Sequence, residues 1–298
     1  MKVARWQLDQ RQGQPLEIKI QMSKARIRQW YEHWDGEVFV AFSGGLDSTV
    51  LLHLIRSIYP NTSAVFHNTG LEFPEIVKFV KETDNVHWTQ PKKRFPQVIE
   101  EYGWPVVSKR ISRYIHDAMT LEPTSKTAHL RLTGYTSKGD YRPSYMISKK
   151  WRFLIDAPFP ISHRCCDFLK KNPAKEAEKL YGAPYLGMTT EEGDQRAQTY
   201  LRYGCNIYDS KRPRSWPIAF WRHQDVLDYI EQFGVPYSTI YDMGYTRTGC
   251  YVCPFGVHLE DPPNRFQRMK ETHPKLWSHC MDRLGLKKVL DFIKVPYD

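Results

Sequence analysis

The stretch Glu37-Val38-Phe39-Val40-Ala41-Phe42-Ser43-Gly44-Gly45-Leu46-Asp47-Ser48-Thr49 decides the fold. Its first half is a short apolar run, the pattern of a buried strand. Ser43-Gly44-Gly45 marks a tight turn, and Ser48 to Tyr59 reads as a helix stopped at Pro60. Two glycines let the backbone turn sharply and approach a ligand closely. The helix behind them presents N–H groups and a positive dipole end, and Ser43, Ser48 and Thr49 add hydroxyls. Together these can form a nest for phosphate oxygens. The glycine–lysine spacing of a Walker A loop is absent.

Working outward, the spacing predicts a helix over 22–34, with Ser23 as its cap, ahead of this strand. Behind it come a strand at 63–67, a helix at 74–83 and a strand at 86–89. Helices follow at 172–180 (Pro173 in the first turn) and 223–233, with another within 265–284. A further strand falls at 185–188. Strand and helix alternating in this way imply a parallel sheet with helices on both faces, a Rossmann-like α/β fold. Residues 1–35 read as an N-terminal helical extension, 36–253 as the nucleotide-binding domain and 254–298 as a C-terminal helical region carrying part of a metal site. Residues 109–160 show weak periodicity and read as a basic insertion or active-site cover.

The chain has 298 residues, 43 lysines and arginines against 33 acids, and a net charge of +10. A 41% hydrophobic content with 14% aromatics is enough for a core and excludes a disordered chain. The longest apolar run, Val38 to Phe42, is far below the roughly 20 residues that span a bilayer. Residues 1–21 lack an apolar signal segment, so the expectation is a cytoplasmic protein with no membrane partner. The charge is concentrated: residues 109–152 hold ten basic side chains and three acids. Tyr114, Tyr135, Tyr141, Tyr145 and Trp151 are interleaved with them. A polyanion could use both, cations on phosphates and rings under bases, and Lys149, Lys150, Trp151 and Arg152 are the candidate nucleic-acid contacts. A solvated basic surface is the plainer alternative.

Six cysteines in a reducing compartment point to metal ligands or thiols ahead of disulfides. Cys165-Cys166 and Cys250-x-x-Cys253 form two pairs. Adjacent cysteines suit a tetrahedral zinc site poorly, whereas four soft thiolates on separate turns suit a 4Fe–4S cluster. A structural zinc knuckle beside two buried cysteines is the alternative. Cys205 is a further candidate ligand or reactive thiol, and Cys280 reads as a packed thiol. His163 and His258 lie near the cysteine pairs in sequence. The other histidines considered, His116, His129, His273 and His279, suggest no partner.

Ser43-Gly44-Gly45-Leu46-Asp47-Ser48 resembles the S-G-G-x-D-S signature of the PP-loop ATP pyrophosphatases. Later motifs resemble their phosphoadenosine phosphosulfate (PAPS) reductase branch. Asn68-Thr69-Gly70-Leu71-Glu72-Phe73-Pro74-Glu75-Ile76 is similar to D-T-G-x-x-F-P-E-T. Gly187-Met188-Thr189-Thr190-Glu191-Glu192-Gly193-Asp194-Gln195-Arg196 is similar to G-x-R-x-x-E-S-x-x-R. Residues 217–229 resemble P-x-x-x-W-x-x-x-D-V-x-x-Y, and 244–253 resemble G-Y-x-x-x-G-C-x-x-C. Cys165 to Pro173 resembles C-C-x-x-R-K-x-x-P, with Lys170 on the family's lysine and Leu169 in place of its arginine. The resemblance spans about 36–253. It departs at Asn68 for Asp, Thr189 for Arg and Gly193 for Ser, which removes one arginine clamp.

The resemblance implies an adenine nucleotide, ATP or else adenosine 5'-phosphosulfate (APS) or PAPS. It would lie against Ser43, Gly44, Gly45, Leu46, Asp47 and Ser48, with Asn68, Thr69 and Gly70 beside it. Asp47, Glu192, Arg196 and Lys170 are the implied catalytic residues. Cys165, Cys166, Cys250 and Cys253 are the implied cluster ligands, with Mg2+ on the phosphates and zinc as the lesser metal. The expected function is ATP pyrophosphatase chemistry with sulfur transfer to a nucleic acid such as tRNA or DNA, served by a sulfur- or electron-donor protein. The tRNA thiolases and DNA phosphorothioation proteins of the superfamily follow that logic. A sulfonucleotide reductase releasing sulfite is the alternative. Such enzymes use a cysteine in an E-C-G-x-H context near the C-terminus, a motif that residues 291–298 (DFIKVPYD) do not carry. A third expectation is a non-catalytic nucleotide- or DNA-binding subunit with a structural metal.

Overall fold

The computed structural model describes residues 3–298. The chain divides into two discontinuous compact units. The first takes residues up to Asn68, then Glu72–Gln90 and Pro173–Thr248; the second takes Thr69–Leu71, Pro91–Asn172 and Gly249–Asp298. The basic segment and the C-terminal region, separate sections in the linear reading, thus belong to one unit.

The first unit starts with helices α1 (Arg5–Gln12) and α2 (Leu16–His33). Strand β1 (Val38–Phe42), α3 (Leu46–Arg56), β2 (Ala64–His67), α4 (Pro74–Glu82) and β3 (Val86–Thr89) follow. The second unit then supplies α5 (Phe95–Tyr102), α6 (Lys109–Thr120) and α7 (Lys126–Thr133). The first resumes with α8 (Asn172–Tyr181), β4 (Ala183–Leu186), α9 (Asp194–Tyr203), β5 (Asn206–Ile207), β6 (Arg214–Ser215) and α10 (His223–Phe233). The second ends with α11 (Arg265–Thr272), α12 (Pro274–Ser278) and α13 (Leu286–Phe292). Among the described residues no helix is long and apolar enough to cross a membrane.

The strands form one six-stranded sheet in the order β3-β2-β1-β4-β6-β5. It is parallel except for β5, which runs antiparallel to β6. The fold is therefore the expected Rossmann-like α/β arrangement. β1 lies between β2 (Val40 beside Ala64) and β4 (Val40 beside Tyr185), which cover its two edges, and its side chains are buried on both faces apart from half-buried Ala41. That is why Val38–Phe42 is almost uniformly apolar instead of alternating. Val40, Val65, Trp30, Tyr185 and Trp221 are all fully buried.

Ser23 does not cap a helix. α2 begins seven residues earlier, after Pro15, and Ser23 sits in its interior with no exposed surface. Its hydroxyl donates to the Pro217 carbonyl (2.9 Å) and accepts from the Trp221 indole N–H (2.9 Å), so tertiary partners claim the group that looked like a cap. β4 also starts two residues before its expected position. In the second unit, 109–120 and 126–133 are helical where only weak periodicity was legible. Ser108 caps α6 by accepting from Ile111 N–H, and Ile111, Tyr114 and Ile115 form its buried stripe. The stripe is short and interrupted by arginines, which hid it.

Candidate functional site

The turn between β1 and α3 is held by its own hydroxyls. Ser43 N–H donates to Ser48 Oγ (3.2 Å), and Gly45 N–H donates to Ser43 Oγ (3.3 Å). Ser48 Oγ and Thr49 Oγ1 both donate to the Gly45 carbonyl, at 2.9 and 3.0 Å. Leu46 N–H, in the first turn of α3, donates to the Tyr241 hydroxyl (3.2 Å), which is 3.0 Å from Thr248 Oγ1. The donors expected to cradle an anion thus converge, each satisfied by a hydroxyl. Gly44 needs its glycine: φ is +72°, and a Cβ would lie 2.9 Å from Ile76 Cγ2. Beyond Leu46 and Tyr241 opens a cleft of roughly 630 Å³ whose other walls are α10 and residues 234–242.

Asp47 stands at the start of α3. Burial pushes its carboxyl up from the ordinary carboxylate range, while His223 and Arg196 pull it down and Glu191 pushes it up. Burial lowers the Arg196 guanidinium, Asp47 raises it and Arg247 lowers it. Arg196 also pairs with Glu192, whose carboxylate accepts from Thr189 N–H (3.4 Å). Glu191 accepts from His223 N–H (2.5 Å) at the head of α10. The sequence-derived trio Asp47, Glu192 and Arg196 thus lies in one electrostatic neighbourhood. His223, Glu191, Arg247 and Thr248 lie within the motifs at 187–196, 217–229 and 244–253 without being their distinguishing residues, and Tyr241 lies outside all three.

Thr189, which stands where the family has arginine, is buried and precedes the turn Thr190–Glu192. Asn68 follows β2 in the first unit, and its N–H donates to the Thr89 carbonyl (2.9 Å). Thr69 and Gly70 belong to the second unit. Thr69 Oγ1 accepts from Leu71 N–H (3.2 Å), and the Leu71 carbonyl accepts from Tyr251 N–H (2.9 Å).

Cys165, Cys166, Cys250 and Cys253 all lie in the second unit, and no two of the six cysteines are joined as a disulfide. The Cys165 thiol is pushed far up by its hydrogen bond to Cys166, by burial, and by Cys166, Cys253 and Cys250 as neighbours. The same hydrogen bond pulls Cys166 down to about 6, with help from Lys109 and Lys170. Cys253 is pushed up to about 12 by burial, Cys250 and Cys166. The four sulfurs therefore feel one another, with lysines beside them. Behind Cys166 the chain makes a π-helical turn, Asp167–Lys171, in which Lys171 pairs with Asp167 (2.7 Å). Among the described residues no three His, Cys, Asp or Glu side chains are gathered tightly enough to hold a single metal ion. An all-sulfur donor set with cationic neighbours does fit a group held by four thiolates. Cys205 is in the first unit, fully enclosed, and its neighbours are Tyr200, Arg26 and Arg11. Cys280 is buried, and that burial alone pushes it up to about 12.

A model of the phosphoadenosine phosphosulfate reductase domain matches residues 37–129 and 136–255, which takes in the turn, Asp47, Arg196 and all four coupled cysteines. The chain belongs to the phosphoadenosine phosphosulfate reductase domain family. An uncharacterized protein of Methanocaldococcus jannaschii is 27% identical over 267 residues, covering 87% of this chain and 51% of the relative. An adenosine 5'-phosphosulfate reductase of Bacillus cereus is 23% identical over 227 residues, covering 76% of this chain and 77% of the relative. The chain spans about half the length of the archaeal relatives it matches, 51% of one and 42% of another. The solved phosphoadenylyl-sulfate reductase of Candida auris aligns at 16% identity and TM-score 0.46, over 84% of this chain and 97% of that one.

This PAPS reductase domain carries its sequence-derived nucleic-acid candidates on a short 3-10 helix, Lys149–Asp156. Lys149, Lys150 and Arg152 are exposed, while Trp151 is half-buried against the edge of His258 (5.1 Å) with the Lys150 ammonium 4.9 Å from its ring. Arg152 donates to the Leu132 carbonyl (2.8 Å).

Proposed function

We propose that this member of the PAPS reductase domain family binds ATP on the Ser43–Ser48 turn, releases pyrophosphate, and serves sulfur transfer to a nucleic acid. The observation that carries the reading is the turn itself: convergent N–H groups, with Asp47 beside Arg196 and His223 at the head of α3. Ser43 N–H, Gly45 N–H and Leu46 N–H donate to phosphate oxygens once the hydroxyls of Ser48, Ser43 and Tyr241 give way. Those hydroxyls are donors as well as acceptors, so they rotate and add to the cradle. Arg196, Arg247 and His223 offset phosphate charge. Asp47 is the hard oxygen donor for the Mg2+ that accompanies ATP. In the reaction, an acceptor oxygen bonds to the α-phosphorus as the bond to pyrophosphate breaks. The sulfur of a separate donor then replaces that oxygen, and AMP leaves.

Cys165, Cys166, Cys250 and Cys253 would hold a 4Fe–4S cluster, which supplies a soft site for sulfur or electrons when bound. This chain's own part is to bring the four thiols together and set Lys109 and Lys170 beside Cys166, favouring its thiolate. Sulfite formation from APS or PAPS is the second reading, favoured by the relatives named as adenosine 5'-phosphosulfate reductases. The buried Thr189, standing where those motifs have arginine, weighs against it.

The test is to incubate anaerobically purified protein with ATP, APS and PAPS in parallel, with a dithiol reductant and tRNA or DNA. Pyrophosphate from ATP without sulfite from the sulfonucleotides is the expected result. Sulfite from APS or PAPS, with no pyrophosphate from ATP, replaces this reading with the reductase.

A further inference from the structure

In the second unit, residues 134–142 fold back as a hairpin. Tyr135 and Tyr141 face each other across an antiparallel bridge. Arg142 N–H donates to the Gly134 carbonyl (2.7 Å), and Thr136 N–H donates to the Asp140 carbonyl (2.9 Å). The Tyr135 and Tyr141 rings lie 5.0 Å apart, inclined at 44°. Each is about half exposed, 48% and 51%, as is Tyr145 at 49%. Exposed single aromatics are ordinary, but three within eleven residues make a surface.

That surface stands on a fixed base. Arg131 is buried; its Nε donates to Asp117 (2.9 Å), its terminal nitrogen donates to the Tyr145 carbonyl (3.2 Å), and its guanidinium lies 3.9 Å from the Tyr114 ring centre. The Tyr114 hydroxyl donates to the Ser144 carbonyl (3.2 Å), and fully buried Ile147 donates to the Arg131 carbonyl (2.8 Å). Rings held in place lose little freedom when a ligand stacks on them, which preserves binding energy. The exposed cations of the hairpin and its flanks are Lys126, Lys138, Arg142, Lys149, Lys150 and Arg152. Of the three carboxylates in the segment, Asp117 is tied to Arg131 and Asp140 lies 4.0 Å from Arg142.

Cations for phosphates and open ring faces for bases are the two components of a single-strand platform. A duplex keeps its base faces stacked and offers the rings nothing. We propose that the hairpin 134–142, with Tyr145, is a stacking platform for single-stranded nucleic acid. The stacking role thereby moves away from Trp151, whose ring is already engaged by His258 and Lys150. The proposal deepens the acceptor half of the function above and does not depend on its nucleotide half.

The experiment is fluorescence anisotropy of the full chain, without nucleotide, on fluorescein-labelled mixed-sequence 12-mers: single-stranded RNA, single-stranded DNA and the corresponding duplexes. Single strands should bind at least tenfold tighter than duplexes, with affinity falling as salt rises at a log–log slope of about −0.7 per phosphate contact. Tyr135→Ala and Tyr141→Ala should each weaken binding by about 5- to 150-fold, the range that stacking one base implies. Tyr135→Phe and Tyr141→Phe should retain it, because the ring does the work. Trp151→Ala should change it less than either tyrosine variant. Preference for RNA or DNA identifies the acceptor class, and either preference supports the platform. Duplex binding as tight as single-strand binding, or undiminished affinity in a Tyr135→Ala/Tyr141→Ala protein with unchanged melting, overturns it. Because no ATP is present, this failure is separate from a failure to release pyrophosphate.

Discussion

Gly187 follows β4 and passes over the head of α3. A Cβ placed there would lie 2.7 Å from Ser48 Cα, 2.8 Å from Ser48 N and 2.9 Å from the Asp47 carbonyl carbon. All three are backbone atoms of the turn, so no side chain can swing aside. Gly187→Ala therefore has to separate β4 from α3 by about 0.7 Å or more to reach ordinary carbon contact. Overpacking of this kind costs about 1–3 kcal/mol. At roughly 2–4 °C per kcal/mol, Tm should fall by about 2–12 °C. The same displacement moves Asp47 and the Leu46 and Ser48 N–H groups, so ATP affinity should drop about tenfold or more, as sub-ångström placement errors do. Gly45→Ala is the control for the melting effect alone: its φ of −79° suits any residue, and its Cβ would meet only side-chain oxygens at 3.3–3.4 Å. Calorimetry and anisotropy titration of a fluorescent ATP analogue read the two effects. If Gly187→Ala melts within 1 °C of the parent and binds the analogue equally well, the close approach does not constrain the turn.

Lys19→Met should cost about 3–5 kcal/mol in urea unfolding, because Lys19 is 2% exposed and its ammonium is 2.7 and 2.8 Å from the two Asp225 oxygens, leaving that carboxylate buried and without its cation. Asp47→Asn should raise Tm at pH 7 while abolishing pyrophosphate release. The folded state raises the Asp47 carboxyl above its ordinary 3.8, so it holds the proton more tightly than the unfolded chain and stability declines as pH rises through that window; the variant flattens this slope. An unchanged slope would show that Asp47 is not strained by burial. Anaerobic purification should yield about four irons per chain with broad visible absorbance, lost in Cys250→Ser and Cys253→Ser and kept in Cys205→Ser. Stoichiometric zinc without iron would refute the cluster assignment.

Four of the six strands were legible because strand identity in a parallel sheet is written in consecutive apolar residues such as Val38–Phe42, whereas the two-residue β5 and β6 carry no such run; the turn was legible because Gly44 and Gly45 have few other uses between a strand and a helix. Helix boundaries were less legible. Ser23 has the chemistry of a cap, and only the folded chain reveals that Pro217 and Trp221 consume it. α5, α6, α7, α9 and α13 were not legible; in α6, the longest of them at 12 residues, Arg110 and Arg113 break up the buried Ile111, Tyr114 and Ile115. Around the turn, Asp47 and Arg196 could be read from motifs in which they are the charged members. Tyr241 could not, since a tyrosine seven residues before Thr248 carries no pattern that distinguishes a hydroxyl on a helix N-terminus from a core ring. In the basic segment, composition correctly located the cations. It could not tell a half-buried Trp151 from the more exposed Tyr135, because exposure depends on the hairpin and its Arg131 base.

The strand order also sets a timetable for synthesis. β1 ends at Phe42, but β4, which covers one of its edges, begins at Ala183. At about 5–20 residues per second, that edge waits on the order of ten seconds with its backbone donors and acceptors open. An apolar edge in that state is a template for mispairing. The intervening stretch does not finish early either, since the second unit needs Gly249–Asp298 to be complete. Neither unit can close until Thr248 or Asp298, respectively, has left the ribosome, so nascent chains should depend on chaperone cover more than a protein in which the same residues form two consecutive domains.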